Sequence, residues 1–229
     1  MLPVPDEPVV PASAWTDLAT QSDAAAAIAQ WLAPWAETPA CRTVLQAVAA
    51  RVVRIEPTAK VLRLHVLAED DRPQLVELAA PFTGELAPMP GSAARLIRRH
   101  NGVTFVRLVQ GREHDRLVLC PGWIKKRFPA EFDAWWQADP WDPNEPFIKP
   151  PLVPCMDEQD LWVYHPHRLR APGELELRRI DHERGDLRDA LPYGAGGVIL
   201  RLLAEQLVPP TPGRRDDFDL RLDDESEEA

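Results

Sequence analysis

The run RVVRIEPTAKVLRLHVL, Arg51 to Leu67, is the most constrained stretch of this chain. Val53 and Ile55 alternate with charged residues, and Leu62, Leu64 and Val66 alternate with Arg63 and His65. A period of two sorts side chains onto the two faces of a strand. With Pro-Thr-Ala between the runs, this is a β-hairpin with one buried face, which other elements must cover. His65 falls on the outward register and reads as a solvated strand residue rather than a ligand.

Helical signals precede the hairpin. Ser22 can cap a helix and Asp23 suits its positive end, while Ile28, Trp31, Leu32 and Trp35 follow at i, i+3, i+4 and i+7. Pro34 interrupts that helix near its end. Thr38-Pro39 opens a second helix, with Cys41, Leu45 and Val48 on one face. After the hairpin, Asp71 and Pro73 predict a further helix carrying Leu75, Ala79 and Phe82, ended by Pro81 and Gly84. Ser92 is expected to cap a short helix to His100, with Leu96 and Ile97 inward. Arg98, Arg99 and His100 then sit in its last turn, where cations suit the negative end of the helix dipole. Asn101-Gly102 ends the helix. VTFVRLV leaves as a strand, and RLVLC returns beside it.

The C-terminal half returns to β structure. LWVYH and ELELRRI read as strands joined by PHRLRAPG, and GGVILRLLAEQLV closes as a core-facing helix with Ile199, Leu203 and Leu207 on one stripe. The expected class is α+β: a mixed or antiparallel sheet flanked by helices, with an N-terminal helix-helix-hairpin extension. VTFVRLV and LWVYH are expected in one sheet, with the helices 92–100 and 198–207 packed on it. The expected units are a loose proline-rich arm at 1–11, the helical and hairpin extension at 12–70, an α+β domain at 71–208 and an acidic disordered tail at 209–229.

Charge narrows the partner. The formal net charge is −10. The stretch Arg214–Ala229 holds three arginines against eight carboxylates, so half of that charge lies outside it. Nucleic acid is a poor ligand for such a surface. A basic protein is a good one. MLPVPDEPVV has neither a basic patch nor an apolar core, so no export signal is expected, and no apolar run is long enough for a membrane span. Cys41, Cys120 and Cys155 are an odd set without CxxC spacing and suit free thiols in a reducing cytoplasm.

One segment stands out as a partner-binding candidate. FPAEFDAWWQADPWDPNEP places Trp135, Trp136 and Trp141 among Asp133, Asp139 and Asp142. Phe132 and Trp136 are helical neighbours, so Trp135 and Trp141 are the better anchors, with the three aspartates steering a cationic partner. The same aromatics can instead form a satellite core under a long loop.

Catalytic patterns are weak. His165, His167 and His182, with Cys155, offer a metal-dependent hydrolase as an alternative, but no CxxC or HExxH companion accompanies them. Gly194–Gly197 lacks the Lys-Ser/Thr of a phosphate loop and reads as a loop entering a helix. Four serines are present, none in GxSxG. No cofactor is expected.

The order of several motifs adds a family reading. ELAPMPGSAARLIRRHNGVTF resembles the stretch of SUKH-superfamily proteins in which a helix, an LP loop and a second helix lead to hNG and a strand. PPLVPCMDEQDLWVYHP is similar to that family's turn and strand, and ELELRRIDHERGDLRDALPYGAGGVILRLLAEQL to its closing strand, linker and helix. The resemblance covers about 71–208. Met89-Pro90 stands where Leu-Pro is usual, and the tryptophan-rich insert from Gly122 to Pro150 is a departure. The resemblance implies an α+β fold without catalytic machinery, and in many bacterial members an immunity protein that binds and neutralises a cognate toxin. The expected function is therefore non-enzymatic: an immunity protein that neutralises a cognate bacterial toxin by direct binding, with a basic protein, such as a toxin domain, as the expected partner. A regulatory or scaffold module without a toxin partner is the alternative from the same resemblance.

Overall fold

The computed structural model describes residues 5–86, 89–120, 155–156, 160–180 and 187–209. Three helices come first: α1 (Ala14–Ala19), α2 (Ala24–Leu32) and α3 (Pro39–Ala49), with a 3-10 turn over Ala33–Trp35 after α2. Asp23, and not the Ser22 expected from the sequence, caps α2 by accepting the Ala26 N–H, and Thr38 caps α3 by accepting the Cys41 N–H, each satisfying a donor that helix geometry leaves open. Pro34 lies within the 3-10 turn, where the α-helical ladder has already stopped.

Five strands follow: β1 (Val52–Pro57), β2 (Val61–Leu67), β3 (Pro73–Ala79), β4 (Val103–Val109) and β5 (Arg112–Cys120). They form one antiparallel sheet in sequence order. The β1–β2 hairpin therefore runs on into β3 instead of standing apart. Leu62, Leu64 and Val66 face the core, and the adjoining inward positions are Val76 and Leu78 on β3 and Val103 and Phe105 on β4. The helix expected over Asp71–Phe82 is a strand. Leu75, Ala79 and Phe82 have helical spacing, but Val76 and Leu78 alternate around Glu77, and that period of two wins once β2 supplies a partner. The turn that sends the chain back contains Asp71 at φ 60°, a conformation aspartate tolerates better than most residues. The β4–β5 turn uses Gln110 and Gly111, both at positive φ.

Helix α4 (Gly91–Arg99) links β3 to β4. A second antiparallel sheet comprises β6 (Cys155–Met156), β7 (Leu161–Ala171), β8 (Glu174–Ile180) and β9 (Leu187–Leu191). VTFVRLV and LWVYH thus belong to different sheets, which corrects the expectation of one. Alternation shows which face of a strand is buried and is silent on its neighbour; β7 pairs with β6 and β8, while β4 pairs with β3 and β5.

The sheets and helices share one core around α5 (Ala195–Leu207). This helix is buried on nearly all sides and meets α3, α4, β5, β6 and the 3-10 turn. Arg201 is buried with it, and its Nε donates to Glu205 one turn on. The glycines before Val198 lie mostly inside the helix, with Gly194 at its N-cap. They serve close packing rather than a phosphate loop. A Cβ on Gly196 would lie 2.7 Å from the Trp35 Cα, and one on Gly197 would lie 2.9 Å from the Cys41 Sγ. Ala normally improves a helix interior by about 1 kcal/mol over Gly. Gly196→Ala is expected instead to destabilise the protein by about 1–3 kcal/mol, read as a lower urea midpoint; a raised midpoint would refute this packing.

Candidate functional site

Two helices begin at one place. The first turns of α4 and α5 approach so closely that a Cβ on Gly194 would overlap Ser92. Each opening turn exposes backbone N–H groups and carries positive charge. Each is met by a carboxylate from elsewhere in the chain. Glu174, at the start of β8, accepts the Ser92 N–H at 2.8 Å and the Ser92 Oγ–H at 2.7 Å. Glu37, just before α3, accepts the Gly194 N–H at 3.1 Å. Arg95 of α4 joins the two carboxylates, donating to Glu37 at 3.0 Å and to Glu174 at 3.2 Å. Arg170 of β7 donates to Glu37 at 2.7 Å, and Glu7 of the N-terminal arm lies 3.5 Å from Arg95.

Tyr164 completes the circuit. Its hydroxyl accepts the Ala195 N–H at 3.3 Å and lies 2.8 Å from Ser92 Oγ. Because Ser92 gives its single proton to Glu174, Tyr164 is the donor to Ser92. Burial pushes the phenol well above its ordinary range, which keeps that proton in place. Ser92 is thus not the N-cap expected from the sequence: Pro90 holds that position, and the serine side chain is committed to Glu174 and Tyr164. Its hydroxyl is buried and satisfied, an arrangement that fastens elements together rather than presenting a nucleophile.

A second polar site lies under the N-terminal helices. His100 follows α4, fully buried, with Trp15, Trp31 and Trp35 around its ring at centroid distances of 5.9, 6.0 and 6.0 Å. The Trp31 indole N–H donates to its Nε2 at 2.8 Å. Nδ1 lies 3.0 Å from the Ala79 carbonyl, so Nδ1 carries the proton and donates. Burial lowers its pKa to about 3, opposed by the bond to Ala79 and assisted by the Arg99 cation. His100 is therefore neutral, which corrects its assignment to a cationic last turn. Of the neighbouring arginines, Arg98 donates to the Phe82 and Gly84 carbonyls, and Arg99 lies over the Trp31 ring at 4.8 Å.

The outer face of the five-stranded sheet carries an ionic ladder. His65 pairs with Glu56 at 2.7 Å, so it is a paired strand residue rather than a free solvated one. That hydrogen bond is the main cause holding the Glu56 carboxyl below its usual range. Glu77 accepts from Arg63 and Arg116; burial raises its pKa, and the two guanidinium partners outweigh it to give a net lowering.

The groups above are turned inward or paired. A different character marks the layer of α1 and α2. The first 41 residues contain Asp6, Glu7, Asp17, Asp23 and Glu37 and no lysine or arginine. Two adjoining hollows, of about 480 and 370 Å³, lie between these helices and beside β1. They share Gln21, Ser22 and Asp23; Asp17 and Trp31 line one, and Val53 and Arg54 the other. Asp17 and Asp23 are exposed, and Arg54 is already paired with Glu56 at 2.8 Å. Val53, the unpaired residue of a bulge in β1, is 56% exposed.

The binding residues expected from sequence, Trp135, Trp141, Asp133, Asp139 and Asp142, lie outside the described residues, as does His182. The side chain of His167 does too. The other two members of the metal alternative are engaged within the fold. The buried Cys155 thiol donates to the Ala195 carbonyl at 3.4 Å, and burial raises its pKa; His165 Nδ1 accepts the Arg168 N–H at 3.0 Å. Among the described residues no group of three His, Cys, Asp or Glu side chains is placed to hold a metal ion. The junction at Ser92 and the buried His100 are missed by sequence reading because their partners are remote; a histidine in a chain with three N-terminal tryptophans was the available signal.

No family model, curated protein or solved structure matches the chain.

Removing the shared acceptor should be costly. Glu174→Ala leaves the Ser92 N–H, the Ser92 hydroxyl and Arg95 short of a partner, and about 2–3 kcal/mol of stability should go with it. Urea unfolding measures this; a loss under about 0.5 kcal/mol would show that the junction is not held by Glu174.

Proposed function

We propose that this chain is a non-enzymatic binding protein that recognises a basic protein, and that it acts in the cytoplasm by neutralising a toxin. The observation that carries the binding reading is the charge asymmetry of the N-terminal layer: exposed Asp17 and Asp23 beside open hollows, with no cation in the first 41 residues. An exposed carboxylate pair attracts a cationic partner over about 8 Å at physiological salt, which speeds encounter more than it strengthens the bound state. The half-buried Trp31 and exposed Val53 add apolar area at the same place. Trp135 and Trp141, with Asp133, Asp139 and Asp142, are proposed as a second contact of the same chemistry.

The toxin-neutralising form draws its support from the SUKH-like order of motifs over about 71–208. It also suits the way Ser92, Tyr164, Cys155 and His100 are committed to internal partners. Among the described residues no helix is long and apolar enough to cross a membrane.

The test begins with the protein that co-purifies with the tagged chain from its own cells. The account expects that protein to be basic, to arrest growth when expressed alone, and to be harmless when this chain is co-expressed. Asp17→Lys with Asp23→Asn, which removes the charge and keeps the α2 cap, should slow association about fivefold or more at low salt with little change in dissociation. Trp135→Ala or Trp141→Ala should speed dissociation about 30-fold if either is an anchor worth about 2 kcal/mol. A captured protein that is acidic or not toxic, or association indifferent to both salt and the aspartate changes, would overturn the reading.

A further inference from the structure

We propose that His100 is an acid-operated latch: its neutral imidazole holds the N-terminal helical layer on the body of the protein, and protonation releases that layer while the sheets remain folded. The proposal stands on the placement of the ring and does not rest on the identity of any partner.

Three separate N-terminal elements converge on this one side chain. Trp15 comes from α1, Trp31 from α2 and Trp35 from the 3-10 turn between α2 and α3. On the other side the ring is anchored to the body, through Ala79 at the end of β3. Both ring nitrogens are used, one as acceptor and one as donor, and this requires the neutral tautomer with its proton on Nδ1. A second proton on Nε2 would face the Trp31 indole N–H, donor against donor, in a site where His100 is 0% exposed. Among the described residues no carboxylate faces the charged imidazolium. Trp15, Trp31, Trp35 and the Ala79 carbonyl bring no titratable group, and the charge acting on the ring is the Arg99 cation of the same helix. Among the described residues the layer's other polar ties to the body are the Val10 N–H to the Arg98 carbonyl, Glu7 and Glu37 to Arg95, and Glu37 to Arg170 and the Gly194 N–H, while α1 and α2 also pack on β1.

The linkage sign follows. The imidazole protonates near its ordinary value when the layer is open and only near pH 3 when it is closed. The open state therefore binds the extra proton, and closure weakens as pH falls from about 6.5 towards 3. Above that window the latch is fully closed.

Hydrogen exchange of the full chain, followed by mass spectrometry at pH 7, 5 and 4 with rates corrected for intrinsic pH dependence, tests this. The expected result is a selective loss of protection over 14–35 as pH falls, with 62–66 and 175–177 still protected. Trp31→Phe removes the donor to Nε2 and should move the transition up by about 0.5–1 pH unit. His100→Gln keeps every carboxylate, so it separates protonation of the imidazole from theirs; its N-terminal layer should lose protection at a lower pH than the wild type. If His100→Gln is too unstable to assay at pH 7, the wild-type and Trp31→Phe profiles decide. Loss of protection in all three regions in one step, a Trp31→Phe transition at the wild-type pH, or a folded His100→Gln with the wild-type transition would each overturn the proposal.

Discussion

The pairing of two helix N-termini is the constraint on which the rest of the structure depends. Bringing the first turns of α4 and α5 together places like partial charges side by side, and the packing is tight enough to exclude any side chain at Gly194. Such an arrangement stands only if anions are supplied. Glu37 and Glu174 supply them, and Arg95 and Arg170 keep the two carboxylates from repelling each other. The donors and acceptors come from the N-terminal layer, from α4 and from the second sheet, so one polar cluster ties three parts of the chain. The pairs are partly shielded, with Glu37 and Glu174 side chains 16% and 13% exposed, and each carboxylate also accepts backbone N–H groups. Both features raise their value above that of surface ion pairs.

The His100 site solves a related problem at the other end of α4. An all-apolar contact would let α1 and α2 slide, because apolar packing is weakly directional. One histidine with two committed nitrogens sets the orientation of Trp31 relative to the end of β3. This placement also fixes the walls of the hollows beside Asp17 and Asp23, since Trp31 lines one of them. The proposed binding surface and the internal polar bond are thus parts of the same helical layer.

Local signals in the sequence were sufficient for the elements that local physics decides. The Ser22-Asp23 and Thr38-Pro39 pairs mark helix starts to within a residue, and the alternation in Val61–Leu67 marks the buried face of β2, whereas a bulge in β1 turns Val53 outward and Val52 inward. The α+β class follows from those elements. Two kinds of error arose. In Pro73–Ala79 the helical spacing of Leu75, Ala79 and Phe82 competed with the alternation of Val76 and Leu78, and only the neighbouring strand settles it. Elsewhere the deciding partner was too distant to read: Ser92 looks like a cap until Glu174 is placed beside it, and His100 looks like a surface cation until Trp31 covers it. The glycines before α5 carry the same lesson. Their sequence resembles half of a phosphate loop, while their physical cause is the approach of Trp35, Tyr193 and Cys41. The binding residues expected in the tryptophan-rich insert had a compositional signal alone.

The central claim is that the junction of α4, α5 and the second sheet makes the protein one cooperative unit at neutral pH. Native-state hydrogen exchange at pH 7 against increasing denaturant measures this directly. The slowest amides of β2, β8 and α5 are predicted to merge into one isotherm with a single opening free energy. A second sheet that opens on its own isotherm, more than about 2 kcal/mol below the first, would contradict the claim.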